Sequence, residues 1–449
     1  MEPAALIREY LMLGLRFDRI EEGYVDSFTG DPALRRAVAD EPAPDPADLT
    51  RQANRLLDAL PAVPRSQDFG DVRAAFIAAH LRALACAGRK FAGEDVGFVD
   101  EVRAYFDVTI AKGDEDRYRE AHRQLAAVLP GTGALADRME ADRVADEIPP
   151  ERLAECIEAF SSALRDKVRA EYPLPDRETI KYEIVTDKPW SGFNYYEGDY
   201  TSTVAVNADL KQQMSNLPRL VAHESYPGHH TEHCRKEERL VAGQDQQEHT
   251  LFLVNTPQCL MAEGLADLAL YAVVGESWGA WAQEIYADLG LRFDGEHAQA
   301  VSVARATLAD VRQDAALMLH DAGVDCAVLE RDATPLGVCP PAKVLELRLP
   351  GPRLTGRGEL IGDRRPPVDA GRVPAFSTHG ASTALLQRRH GSHRREGCGL
   401  RIRSPTRAWS EQLTTHRSPL SMMSAAAPMW IGPSLGPTST RNHPGSGSS

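Results

Sequence analysis

Pro227 and Gly228 lie inside the octet His223-Glu224-Ser225-Tyr226-Pro227-Gly228-His229-His230, and no α-helix can run through them undisturbed. Proline removes a backbone hydrogen bond and its ring clashes with the carbonyl four residues earlier, here that of His223, so the helix must bulge or break. The break matters because the octet departs from the zincin pattern His-Glu-x-x-His. In that pattern two histidines four apart share a helical face, and the Glu beside the first reaches a metal-bound water. The fourth residue after His223 is Pro227, which cannot bind metal. If Pro227 and Gly228 loop out as a two-residue insertion, His229 takes the place of the second histidine, and it is the preferred ligand. His230 stands second: on an unbroken helix it would share the face of His223 but lie roughly 10 Å along the axis, too far for one ion with bonds near 2 Å. The helix itself is expected to start at Pro218, after Asn216 as a cap.

A catalytic zinc keeps three protein ligands and one open position. Glu263, 33 residues past the octet, is the candidate third ligand. It sits in the apolar run Leu260 to Leu268, where an unpaired carboxylate is costly to bury. Asp267 follows one turn later on the same face, placed to accept the second ring proton of a ligand histidine and so to hold its tautomer. Five of the 14 histidines fall between residues 223 and 249, and this conjunction points to metal far more strongly than a lone His-Glu pair would. Within it His233 reads as part of a solvated, charged helix face and Cys234 as structural.

The expected cofactor is one Zn2+ per chain, held by His223, His229 and Glu263, with Glu224 as general base towards a peptide or other amide. An oxyanion donor is also required. Tyr195, Tyr196, Tyr200, Arg312 and His320 are candidates for that role or for substrate contact, each equally readable as packing or surface. The rival reading is a non-catalytic or vestigial zinc site inside a helical scaffold.

These residues resemble the bacterial domain-of-unknown-function 885 family, placed among the zincin, gluzincin-like metallopeptidases, whose signature is H-E-x-x-P-G-H followed downstream by Glu-Gly. The likeness runs through Leu13 to Asp18, Lys188 to Tyr196, the octet, Asn255 to Cys259 and Val311 to Ala316, and so covers most of residues 10 to 345. In that family the histidine at the position of His229 belongs to the core motif and the next one varies. The resemblance implies a zincin fold and peptidase chemistry. It also implies a helical C-terminal region with a Tyr near a Gly that approaches the active site, and no such stretch is recognisable here.

The expected fold class is mainly α with a small β-sheet. Leu153, Ile157, Phe160, Leu164 and Val168 recur at helical spacing, as do Val72, Phe76, Ile77, His80, Leu81 and Leu84, so each segment buries one face. His80 in the second stripe reads as a core histidine. Pro-rich connectors at 42–46 and 173–175 are expected to separate helices. Lys181 to Val185 and Thr201 to Val206 are dense in β-branched residues and predict strands. Thr201 to Val206, just before the metal helix, would line the cleft and pair with an extended peptide, unless it is a purely structural hairpin.

The net charge of −14 hides two opposite parts. Residues 347–449 carry 15 Arg, no Lys and five acids, a balance of +10, so residues 1–346 carry −24. The division expected is one catalytic domain over 1–346 and a basic, Arg/Pro/Gly/Ser-rich tail over 347–449 that does not pack as a domain. Arg without Lys is also what out-of-frame translation of a GC-rich gene produces. Nucleic acid is not expected as a partner beyond non-specific attraction to this tail. No run of about 18 apolar residues exists, so no membrane partner is expected. Seven cysteines without a pairing pattern, and a start lacking a signal-peptide pattern, make the cytoplasm the expected location.

Overall fold

The structure, a computed structural model, describes residues 1–188 and 190–320, save the side chains of Arg312 and Leu319. The candidate Arg312, the boundary at residue 346 and the tail 347–449 therefore lie outside the described residues.

The described chain is mainly helical with a small sheet. Its first half comprises Pro3–Asp18 (α1), Val25–Phe28 (β1), Pro32–Ala39 (α2), Pro46–Ala59 (α3), Asp71–Phe91 (α4), Phe98–Phe106 (α5), Glu115–Val128 (α6), Leu135–Ala145 (α7) and Leu153–Glu171 (α8). Several starts are written in the sequence. Prolines occupy the first turns of α1, α2 and α3, and the side chains of Asp31, Asp45 and Asp114 accept backbone N–H bonds at the starts of α2, α3 and α6. In α8 the stripe Leu153, Ile157, Phe160, Leu164 and Val168 is buried throughout. In α4 burial runs through Ile77, His80, Leu81 and Leu84, but Val72 is 68 % exposed because the first turn projects beyond the core. The connector at 42–46 leads from α2 into α3, whereas that at 173–175 leads from α8 into a strand.

The second half carries the sheet and the octet. Its elements are Thr179–Val185 (β2), Gly192–Gly198 (β3), Thr201–Asn207 (β4), Leu217–Glu224 (α9), His229–Lys236 (α10), Leu251–Leu253 (β5), Pro257–Val273 (α11), Trp278–Asp288 (α12), Gly295–Ala306 (α13) and Val311–His320 (α14). Strand order in the three-stranded sheet is β2-β4-β3, with β2 parallel and β3 antiparallel to β4. The expected docking edge at Thr201 to Val206 is corrected by this order: β4 is the central strand, and both its edges are already hydrogen-bonded. The outer strand β3 lies against α9 instead. β1 and β5 form a separate antiparallel pair.

Two large cores and two smaller clusters hold the frame among the described residues. One large core gathers α1, α3, α4, α5 and β5; the second packs α8 and the sheet against α9, α11 and α12. Helix α9 belongs to the second and is buried along its length except at Arg219. It starts at Leu217, with Asn216 in the cap position but making no side-chain cap bond.

Candidate metal centre

The octet breaks its helix in a specific way. α9 ends at Glu224, and α10 begins at His229. The N–H of Gly228 donates to the carbonyl of Ala222 at 3.0 Å, and that of Thr231 to the carbonyl of Ser225 at 3.2 Å. Each bond reaches back six residues instead of four, so two residues are looped out and the helical path then resumes. Glycine is required at the crossing. A Cβ on Gly228 would stand 1.9 Å from the carbonyl oxygen of His223 and 2.5 Å from that of Ala222.

This insertion brings the two histidines together, with their rings nearly perpendicular and their centroids 4.7 Å apart. The Nε2 atoms of His223 and His229 are 3.1 Å apart. Glu263 enters from α11, whose start is set by Pro257 in the first turn and by the Thr256 side chain accepting from the N–H of Cys259. Its carboxylate oxygens lie 3.5 Å from His223 Nε2 and 3.4 Å from His229 Nε2. Both oxygens are buried without a hydrogen bond. One turn along α11, Asp267 Oδ1 accepts from Nδ1 of His223 at 3.1 Å, which fixes the ring with Nε2 turned towards Glu263.

The donor set fits a metal. Tetrahedral zinc with bonds of about 2.0–2.1 Å separates its ligand atoms by about 3.3 Å; here the two Nε2 atoms are 3.1 Å apart, and each faces a different oxygen of Glu263, His223 meeting Oε2 at 3.5 Å and His229 meeting Oε1 at 3.4 Å. Two imidazoles and a carboxylate are also the ligand types that zinc accepts. Ligand-type atoms of His223, Glu224 and His229 lie within 4.8 Å of one another, so Glu224 adjoins the same point. Its Oε1 is buried without a hydrogen bond among the described residues, while its carbonyl accepts from Asn194 Nδ2 on β3 at 2.7 Å.

Charge in the centre is mutually adjusted. Burial opposes a charge on His223, but Asp267, Glu263 and Glu224 outweigh it and hold its pKa well above the histidine range. Burial would likewise raise Glu263, yet His223 and His229 keep its carboxyl well below the usual range. Asp26 on β1 is a neighbour the sequence reading missed. Burial pushes its pKa up to about 7 against the lowering influence of His229.

The other candidates lie elsewhere. His230 is fully buried in a separate network, with Nε2 3.0 Å from Glu178 Oε2 and Nδ1 2.8 Å from Ser202 Oγ. Glu178 also holds Arg165, Arg169 and the Tyr226 hydroxyl. The solvated-face reading of His233 is corrected: the ring is buried and stacks on Tyr196 at 4.5 Å, because the resumed helix turns it inwards against β3. Cys234 is buried beside His230. Tyr196 donates to Glu237 at 2.5 Å, Tyr195 packs edge-on against Phe193, Arg177 covers the ring of Tyr200, and His320 packs on Phe98.

A cavity of about 480 Å³ opens onto His223, Glu224 and Asp267, and Tyr195, Tyr196, Tyr200 and His320 are not among the residues that line it. Its walls include Ser191, Arg219, Arg292 and Arg305. Arg219 was detectable in the sequence as the residue four before His223 on the same helix. Asp26 and Glu178 were not, since only tertiary packing brings them near the octet.

No family model matches the chain, and no curated protein matches it. Among solved structures it is similar to one described as "the putative lipoprotein from Colwellia psychrerythraea", at 14% identity and a TM-score of 0.35. The match covers 65% of this chain and 54% of that one, so the chain spans about half the length of the structure it matches. A likeness of this size carries neither fold nor activity across. The cytoplasmic expectation is nevertheless corrected, because the description of that protein as a lipoprotein runs against it. No location is assigned to this chain.

Proposed function

We propose that this chain is a zinc-dependent amide hydrolase, in the first place a peptidase, related to the domain-of-unknown-function 885 family and built on a zincin-like frame. The observation that carries the reading is the cluster of His223, His229 and Glu263, in which the two Nε2 atoms lie 3.1 Å apart and each faces one oxygen of the Glu263 carboxylate, at 3.5 and 3.4 Å. One zinc ion held there would supply Lewis acidity to a substrate carbonyl and to water.

The protein groups do the rest. Glu224, one residue from the first ligand, has a free buried oxygen on the cavity wall and acts as general base, taking a proton from water and passing it to the leaving amine. Asp267 holds the His223 ring by its Nδ1 proton. Asn194 ties the end of α9 to β3, and Gly192 lets that strand approach: a Cβ there would meet Leu220 at 2.8 Å and Glu224 at 3.3 Å. A closed four-ligand structural site is disfavoured, because His230 is engaged by Glu178 and Ser202 and His233 stacks on Tyr196.

The test is metal content by plasma mass spectrometry together with hydrolysis of a peptide mixture. The full chain should carry about one zinc, kept in His230→Ala and lost in His229→Ala. Glu224→Gln should keep zinc and lose turnover by at least about a thousandfold. A metal-free native chain, or undiminished hydrolysis by the Gln variant, would refute the assignment.

A further inference from the structure

We propose that Glu178 is a positioning residue of the metal centre: it clamps the octet on both sides of the Pro227-Gly228 loop and so holds His229 where it can bind the ion. This inference rests on the metal-site reading above and adds to it a residue that touches no ligand atom.

The two candidate ligand histidines are held differently. His223 is fixed at both ring nitrogens, with Nδ1 donating to Asp267 and Nε2 facing His229 and Glu263. His229 meets its neighbours through Nε2, and among the described residues its Nδ1 makes no hydrogen bond. Where that ring points is therefore set by the backbone that carries it. This backbone is the first turn of α10, directly after a loop whose N–H bonds reach back six residues instead of four. A ligand on such a segment keeps its place only if neighbouring groups lock the segment from outside.

Glu178 provides that lock, and its two carboxylate oxygens face opposite ways. Oε2 accepts from the Tyr226 hydroxyl at 2.6 Å and from Nε2 of His230 at 3.0 Å, and so grips the residue before Pro227 and the residue after His229. Oε1 accepts from Nε of Arg165 at 2.7 Å and from Nε and Nη2 of Arg169 at 3.0 and 2.7 Å, both on α8. One buried carboxylate thus ties the loop to a helix of the second core. Burial works against a charge on Glu178, but His230, Tyr226, Arg169 and Arg165 bring its pKa down to about 2. An ionised carboxylate only accepts, so Nε2 of His230 carries a proton. Burial holds the His230 ring below the ordinary histidine range, and its Nδ1 accepts from the Ser202 hydroxyl on β4 at 2.8 Å. His230 is therefore fixed at both nitrogens, and His229 is its immediate neighbour in the same turn. Bonds to an ionised acceptor are short and strong, and removing the acceptor leaves the Tyr226 and His230 donors buried without a partner.

Zinc affinity of the full chain, measured by competition with a chelating dye, tests this without any turnover, and the visible spectrum of the cobalt(II)-loaded chain reports the ligand geometry. Glu178→Gln keeps the shape but replaces an acceptor oxygen by an amide donor. It should bind zinc about 10- to 100-fold more weakly and shift the cobalt bands. Tyr226→Phe and His230→Ala each remove one of the two ties on Oε2, and each should weaken zinc by about threefold or more, with about one zinc still bound at saturation. Leu49→Ala, buried in the first core, controls for general loss of stability: its melting temperature should fall while zinc affinity and cobalt bands stay native. Circular dichroism checks that each variant is folded during titration, and if Glu178→Gln is not, the two single-tie variants decide. Native affinity and native cobalt bands in the folded Glu178 variant, or in both single-tie variants, overturn the clamp, as does an equal loss in Leu49→Ala. A native chain that takes up no zinc overturns the metal-site reading and the clamp together, whereas tight zinc in both the native chain and the Glu178 variant removes the clamp alone.

Discussion

His223 and His229 place their Nε2 atoms 3.1 Å apart, although six residues and a break between two helices separate them. On a continuous helix residues six apart point to different faces, about 9 Å along the axis. The pair meets because Pro227 and Gly228 are looped out and the bonds from Gly228 and Thr231 span six residues. The looped-out pair therefore joins two histidines that a continuous helix would hold apart.

The crossing at Gly228 makes a sharp expectation. A methyl group there would overlap the carbonyl of His223, and backbone cannot swing aside as a side chain can. Gly228→Ala should lose bound zinc and lower stability by about 2 kcal/mol or more. Zinc stoichiometry and urea unfolding measure both, and a variant normal in each would show that the close approach is dispensable.

Asp267 acts through His223. Its carboxylate fixes the ring so that Nε2 faces Glu263. Asp267→Asn should weaken zinc binding by about 10- to 100-fold while leaving the stoichiometry at saturation unchanged. Competition with a metal-sensing dye reads the affinity; an unchanged value would reduce Asp267 to packing.

Removal of metal should show in stability. Both Glu263 oxygens are buried without a hydrogen bond and face His223 and His229 at 3.5 and 3.4 Å, so a bound ion would replace long contacts by short metal bonds. Chelation should lower the melting temperature, and zinc at a hundredfold excess over its Kd should restore about 2.7 kcal/mol. His229→Ala should show neither effect, and an equal response in that variant would place the ion elsewhere.

Glu178 carries a pH signature distinct from the metal site. Burial tends to raise its pKa, but His230, Tyr226, Arg169 and Arg165 together bring it down from 4.5 to about 2. A carboxyl whose pKa is depressed on folding stabilises the folded chain above its unfolded pKa and loses that contribution as the pH falls through the folded one. The contribution is thus complete above about pH 4.5 and fades towards pH 2. Glu178→Gln should cost about 2 kcal/mol at neutral pH, since the arginines it faces are partly exposed, and the difference from the native chain should vanish in that acid window. Denaturant unfolding at several pH values measures it, and a constant difference would remove Glu178 as its source.

Sequence alone determined the helical periodicities, the strands β2 and β4, and the shortlist of metal ligands, because these depend on local spacing and on the chemistry of each residue type. It also determined that the helix could not continue past Pro227, for a proline carries its steric conflict wherever it stands. Tertiary structure alone decided the rest. The histidine that turns to Glu263 and the one that turns to Glu178 are adjacent in the chain, and only packing against α11 and β4 separates their roles. Strand order decided that β4 has no edge to offer, and His233, read from its charged neighbours as solvated, is buried because α10 lies against β3. Asp26 lies roughly 200 residues from the octet, and the arginines of the cavity, Arg143, Arg219, Arg292 and Arg305, come from four separate segments, so no local pattern could have assembled them. Distance along the chain leaves no trace in periodicity, and contacts of that kind become visible only when the chain folds.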